Sequence, residues 1–152
     1  MTERVDFYVL KSAAAKQRRT FACRLTEKAY LLDLRVVILN DTLAEAKELD
    51  ELLWTFNDRS FIPHKISLDA EPMDLSTPVH LMLESTTASA ADLLVNLAQS
   101  LPAQLAQYTR IAEIIDADEE RRRLGRERFK AYRDLKFALE THQIDEGAGI
   151  HG

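Results

Sequence analysis

Short apolar runs alternate with longer stretches of three- and four-residue periodicity through the first third of the chain. Val5-Asp6-Phe7-Tyr8-Val9-Leu10 gathers β-branched and aromatic residues in one short run and predicts a strand. From about Ser12 to Asp33, Phe21, Leu25, Ala29 and Leu32 recur at helical steps, with no Gly or Pro between them, and predict a helix. Leu34-Arg35-Val36-Val37-Ile38-Leu39 reads as a second strand. Asn40-Asp41 then suits a helix start, and Leu43, Ala46, Leu49 and Leu53 give the helix that follows one apolar stripe. A βαβα order of this kind predicts that the first two strands pair in parallel through a crossover.

Periodicity is lost beyond Trp54. Asn57, Asp58, Ser60, Pro63, Asp69, Pro72 and Pro78 mark a long connection, a pattern that belongs to functional or mobile loops. Three more strands are predicted, at Pro78 to Leu83, Asp92 to Leu97 and Arg110 to Ile115, with a short helix over Pro102 to Gln107 between the last two. A final helix is expected from about Ala117 to Leu139. From Glu140 onward, where three of the four glycines lie, an unstructured tail is expected. The resulting fold class is α/β: a single domain over residues 1–139 with a largely parallel sheet of about five strands, helices on both faces, and a tail over 140–152. The architecture is Rossmann-like without a nucleotide-binding loop.

Composition narrows the class further. At 152 residues with 46% hydrophobic content, the chain suits one domain with its own core. The N-terminal residues lack the blocks of a signal peptide, and no apolar run reaches membrane-span length, so a cytoplasmic protein is expected. Cys23 is the single cysteine, which leaves no internal disulfide and no cysteine-based zinc site; on a helix it reads as a small buried hydrophobe.

The usual chemical signatures are missing. The first strand-to-helix turn, Leu10-Lys11-Ser12-Ala13-Ala14-Ala15, has no glycine, and neither GxGxxG nor GxxxxGK[ST] occurs. His64, His80, His142 and His151 are scattered singly, without the i, i+4 spacing of a helical zinc pair. No G-x-S-x-G elbow surrounds a serine. The acidic clusters Asp50-Glu51 and Asp118-Glu119-Glu120 fall on helices or at a helix start, where solvation or the helix dipole explains them. No catalytic residue, metal site or cofactor is therefore expected.

Charge distribution says more than its sum. Between Arg121 and Lys136 eight basic residues face only Glu127 and Asp134, a net +6 within an overall −5, so the rest of the chain carries −11. At 100° per residue, Leu124, Ala131, Leu135 and Leu139 fall on one side of the last helix, with Tyr132 at its margin, and predict its core face. Arg122, Arg126, Phe129 and Arg133 fall together on the opposite side, with Lys130 beside them. An aromatic ring among four cations is either a solvated helix surface or a docking site for a ligand both anionic and apolar. Two ligand classes fit: single-stranded nucleic acid, and an acidic peptide with an aromatic residue at its end. The acidic body favours the short peptide. A second feature is Trp54, the only tryptophan, followed by Ser60-Phe61-Ile62-Pro63-His64. Trp54 and Phe61 either close over each other or anchor a partner.

In these two segments, Leu53-Trp54 with Ser60-Phe61-Ile62-Pro63-His64, and Leu124-Gly125-Arg126-Glu127-Arg128-Phe129-Lys130-Ala131-Tyr132-Arg133, the chain resembles the chi subunit of bacterial DNA polymerase III holoenzyme. Element order and length are similar from Val5 to about Leu139. The resemblance implies a non-catalytic accessory subunit of the clamp-loader assembly with two docking surfaces. One takes the acidic C-terminal tail of single-stranded-DNA-binding protein and maps onto Arg122, Arg126 and Phe129, with Ile115 nearby and Lys130 and Arg133 alongside. The other takes the psi subunit and maps onto Trp54, Phe61 and Pro63; an accessory helicase competes for it in some relatives. DNA is reached indirectly, no membrane is involved, and direct single-strand binding by the basic helix is the alternative. Where the family pattern holds Tyr, this chain carries Phe129, which keeps the ring and loses a hydroxyl.

Overall fold

The structure, a computed structural model, describes residues 2–67, 76–83 and 91–144. Its strands are β1 (Arg4–Leu10), β2 (Val36–Asn40), β3 (His64–Ile66), β4 (Val79–Leu83), β5 (Ala91–Asn96), β6 (Tyr108–Ile115) and β7 (Leu139–Ile144); its helices are α1 (Ala15–Leu31), α2 (Leu43–Thr55) and α3 (Glu119–Asp134). All seven strands form one sheet in the order β3-β4-β2-β5-β6-β1-β7, and every neighbouring pair is parallel. The α/β class with a parallel sheet is as expected. Two strands were missing from the sequence reading: β3 inside the supposed long connection, and β7 inside the supposed tail.

The expected pairing of the first two strands does not occur. β5 and β6 lie between β2 and β1, so α1 carries the chain across two strand positions that later segments fill. Local pattern defines a strand, but the neighbour it takes depends on segments far along the chain.

Residues alternate between the two faces of the sheet. On one face Leu10, Ile38, Leu81, Val95 and Ile114 pack against Phe21, Ala22 and Cys23 of α1 and Leu49 and Leu53 of α2. On the other, Val5, Phe7, Leu39, Leu94, Ile111 and Ile115 pack against Tyr132 and Phe129 of α3. All five residues of β2, near the middle of the sheet, are buried. α2 starts at Thr42 rather than at Asn40-Asp41, its hydroxyl accepting from the Glu45 N–H at 3.2 Å. Burial pushes the Cys23 thiol up to about 12, the inert state expected for a core cysteine. No helix among the described residues is long and apolar enough to cross a membrane.

α3 ends earlier than its pattern suggested. Lys136 adopts a left-handed backbone (φ 71°), its N–H donates to the Arg133 carbonyl and that of Phe137 to the Tyr132 carbonyl, and the two rings meet edge-on at 5.9 Å. This is a Schellman stop with its accompanying apolar contact. It frees Leu139–Ile144 to pair with β1 along its whole length, from Val5 opposite Leu139 to Leu10 opposite Ile144. The expected tail therefore does not begin at Glu140; residues 145–152 lie outside the described residues.

Candidate docking sites

α3 meets the sheet through a buried ion pair as well as through Phe129 and Tyr132, not through the leucine stripe. Glu113 of β6 is fully buried, and three donors converge on its carboxyl: Arg128 Nε at 3.0 Å, Tyr132 Oη at 2.7 Å and Asn96 Nδ2 at 2.9 Å. Arg128, itself buried, also donates to the Gln99 carbonyl at 2.8 Å. Burial pushes Glu113 above the ordinary carboxylate range, and the Arg128 guanidinium with the Asn96 and Tyr132 hydrogen bonds pulls it back. Desolvation and Glu113 together hold the Tyr132 phenol well above its ordinary value.

This network overturns the expected core face. Gly125, Arg128 and Tyr132 are buried, whereas Leu135 is 55% exposed and Leu124 and Ala131 are half-buried. The expected core face did not include Arg128. A buried partner for its charge turned the helix by roughly a quarter turn, and Phe129 came with it, from the expected outer face to the edge of the core.

In that orientation Phe129 is half-buried and meets Phe7 edge-on, with ring centroids 5.1 Å apart. Between α3 and the sheet lies a cavity of about 250 Å³. Phe7 and Val9 of β1, Ile115 of β6 and Thr141 of β7 form its floor; Gly125 and Phe129 form its wall, and Arg122 and Arg126 its rim. Ile115, Arg122, Arg126 and Phe129 all line this one cavity, with Phe129 a wall rather than an exposed ring. Lys130 and Arg133 are exposed and lie outside the cavity lining.

The eight cations of this segment divide by partner. Arg121 clasps the buried Asp116 with two bonds, Nε to Oδ1 at 2.9 Å and Nη2 to Oδ2 at 2.7 Å. Arg123 pairs with Glu120 and Glu127 on the outer side, and Arg128 is taken by Glu113. Asp118 is spent on the helix start, where it accepts from the Arg121 N–H at 2.9 Å. Arg122, Arg126, Lys130, Arg133 and Lys136 make no ion pair among the described residues. Arg122 is nevertheless oriented, because its Nε donates to the Asp116 main-chain carbonyl at 3.1 Å. Both arginines at the rim are among those that pair with no carboxylate of the described residues.

Trp54, Phe61 and Pro63 form a second site. Trp54 at the end of α2 is 45% exposed and Phe61 is 76% exposed, with ring centroids 5.4 Å apart. Pro63, half-buried, leads into β3. The buried His64 ring lies 4.2 Å from Trp54 and is fixed by Nδ1 to the Ile62 carbonyl at 2.7 Å and Nε2 to the Asp50 carbonyl at 3.0 Å. Trp54 and Phe61 do touch, yet contact removes neither from water.

Sequence reasoning missed Phe7, Val9, Gly125 and Thr141. Of these, only Gly125 left a signal: an unexplained glycine inside a helix, four residues before Phe129.

Comparison with known proteins follows the same lines. The family model for "DNA polymerase III chi subunit, HolC" matches residues 1–140. The chain is 35% identical over 141 residues to DNA polymerase III subunit chi of Pseudomonas aeruginosa, covering 93% of this chain and 96% of the relative. It is 28% identical to the Haemophilus influenzae subunit, covering 95% and 99%, and 27% identical to that of Escherichia coli, covering 78% and 80%. Among solved structures, a S. cerevisiae dbp5 complex is similar with a TM-score of 0.64 and 12% identity over 95% of this chain. A DEAD box protein from Methanococcus jannaschii is similar with a TM-score of 0.58 and 12% identity over 92%. The chain spans under half of each of those two solved chains, 43% and 42%, and at this identity they speak for the fold alone.

Proposed function

Since the chain belongs to the DNA polymerase III chi subunit family, we propose that it works as a two-sided adaptor, binding the acidic C-terminal tail of single-stranded-DNA-binding protein on one side and the psi subunit on the other. Its role is that of a non-catalytic accessory subunit of the clamp-loader assembly.

The observation that carries this reading is the apolar cavity rimmed by Arg122 and Arg126, two arginines without carboxylate partners among the described residues. A peptide ending in an aromatic residue places that ring against Phe129 and Ile115. Its carboxylate meets Arg126 and the pre-oriented Arg122, and acidic residues upstream follow the exposed Lys130 and Arg133. Each charge-assisted hydrogen bond contributes roughly 1.5–3 kcal/mol before desolvation. Added salt therefore weakens binding, and an oligomer that offers several tails strengthens it.

The psi surface is read from Trp54, Phe61 and Pro63. Two large aromatics left in water beside each other form an apolar patch of the kind that anchors an interface. β3 and β1 stand five strand spacings apart in the sheet, or roughly 24 Å. The aromatic patch belongs to the α2 side and the cavity to the α3 side, so one partner leaves the other's site open.

The test is fluorescence anisotropy with a labelled peptide copying the acidic tail, run beside a labelled single-stranded oligonucleotide. Saturable peptide binding that Arg126→Ala weakens at least tenfold is the expected result. Oligonucleotide binding with no response to the peptide would replace this reading with direct single-strand binding by the basic helix.

A further inference from the structure

β1 and β7 run side by side, and successive residues of the pair face opposite sides of the sheet. Phe7 and Thr141, paired across the strands, face α3 and floor the cavity. Their neighbours point to the other side: Asp6 and Tyr8 from β1, opposite Glu140 and His142 from β7. None of these four takes part in the docking sites described above.

Three of the four converge. The His142 imidazole stacks on the Tyr8 ring with centroids 4.9 Å apart, which sets its plane. Its Nε2 then stands 2.8 Å from Asp6 Oδ1 and 3.8 Å from Glu140 Oε2. One ligand atom from each of Asp6, Glu140 and His142 lies within 4.8 Å of the other two. Around a tetrahedral zinc ion with bonds of about 2.0–2.2 Å, neighbouring ligand atoms stand roughly 3.3–3.6 Å apart. The two contacts of His142 bracket that spacing, so the three groups reach one ion by side-chain adjustments on the order of 1 Å. No spacing rule announces the set, because Asp6 and His142 lie 136 residues apart in the chain.

The donor atoms select the metal. An imidazole nitrogen beside two carboxylates suits ions of the zinc class, whereas Mg²⁺ and Ca²⁺ take oxygen ligands. Asp6 is buried, His142 half-buried and Glu140 exposed, which leaves the outer side open for water as a further ligand. Arg4 competes with the metal: its Nε lies 3.1 Å from Asp6 Oδ1 and its Nη1 3.2 Å from Glu140 Oε2. Arg110 of β6, the register partner of Arg4, adds a second positive charge to this face. The Arg4 side chain is partly exposed and can release Glu140 while keeping Asp6 Oδ2, which its Nε already meets at 3.3 Å. The two cations lower the affinity for a metal ion without filling its place.

We propose that Asp6, Glu140 and His142 form a binding site for a divalent ion of the zinc class, which ties the edge strand β7 to β1 on the face of the sheet opposite the cavity. Zinc bound there stabilises the folded chain by mass action, because the unfolded chain does not hold the three ligands together.

The experiment is calorimetric titration of the full chain with Zn²⁺, and separately with Mg²⁺, near neutral pH, with thermal melts alongside. One zinc ion per chain, no response to Mg²⁺ and a Tm raised by zinc are expected. His142→Ala should weaken zinc binding at least tenfold and remove the rise in Tm. Glu140→Gln, an exposed change that leaves the fold in place, should weaken it too. Arg4→Gln should bind zinc about three- to tenfold more tightly, since it removes the competing charge, and His151→Ala should bind it unchanged. The absence of saturable zinc binding overturns the proposal. Binding that survives both His142→Ala and Glu140→Gln, or that His151→Ala removes, overturns it as well.

Discussion

A methyl group added to Gly125 of α3 would stand 2.7 Å from Ile115 Cδ1 of β6. The glycine lets the helix lie against the sheet closely enough for Ile115 and Phe129 to share one cavity. Gly125→Ala must push the end of the Ile115 side chain aside, and the cavity is the space beside it. Overpacking costs roughly 1–3 kcal/mol, but replacing a mid-helix glycine by alanine returns about 1 kcal/mol. Urea denaturation should therefore show a change of about 2 kcal/mol or less. Calorimetric titration of the acidic peptide should show affinity reduced by roughly tenfold or more. Unchanged affinity would remove the cavity from the binding site.

Arg121 and Arg126 should fail in opposite ways. Arg126 is exposed and makes no ion pair among the described residues, so Arg126→Ala should lower peptide affinity by about 1.5–3 kcal/mol and leave the Tm in place. Arg121→Ala strands the carboxylate of Asp116, whose side chain is fully buried, while the Arg121 side chain itself is 23% exposed. Discounted for that exposure, the loss should be roughly 1–3 kcal/mol of stability. Thermal melts and anisotropy on the two variants separate the roles.

The two surfaces should act independently. Trp54→Ala is expected to abolish or strongly weaken psi binding without altering tail affinity, and Arg126→Ala to do the reverse. In a double-mutant cycle the coupling should stay within about 0.5 kcal/mol, as for distant sites without shared partners. A larger coupling would require a conformational link between α2 and α3.

Cys23 makes the chain sensitive to alkali. Burial raises its thiol from 9.0 to about 12, so the folded state keeps a proton that the unfolded state releases above pH 9. The corresponding stability is fully present below pH 9 and drains away as pH rises towards 12. Wild-type protein should thus lose more stability than Cys23→Ala across that window in urea midpoints. At pH 8 the folded thiol should not react with a disulfide reagent until denaturant is added.

Local pattern made much of this protein legible before its structure. Five strands, three helices and the grouping of Arg122, Arg126 and Phe129 could all be read from spacing. What escaped reading depended on distant partners. Arg128 was not legible as a core residue because Glu113, which buries it, lies fifteen residues away on another element. β7 looked like tail because Leu139-Glu140-Thr141-His142-Gln143-Ile144 is mostly polar, and an edge strand that pairs on one side only needs few apolar residues. Its polar side chains have partners that no spacing rule reveals: His142 Nε2 meets Asp6 Oδ1 at 2.8 Å and the imidazole stacks on Tyr8. Trp54 and Phe61 were legible as aromatics, but their 45% and 76% exposure was not, because α2 could have turned either way.

The cavity floor joins Phe7 to Thr141, one of the first described residues to one of the last. While the chain is being made, β1 emerges early and must wait through roughly a hundred residues before β6, and then α3 and β7, arrive beside it. Until β7 has left the ribosome the cavity has no complete floor, whatever else has folded. On the docking proposed above, competence to bind thus comes late, and a polypeptide cut short before residue 139 lacks the strand that completes the cavity.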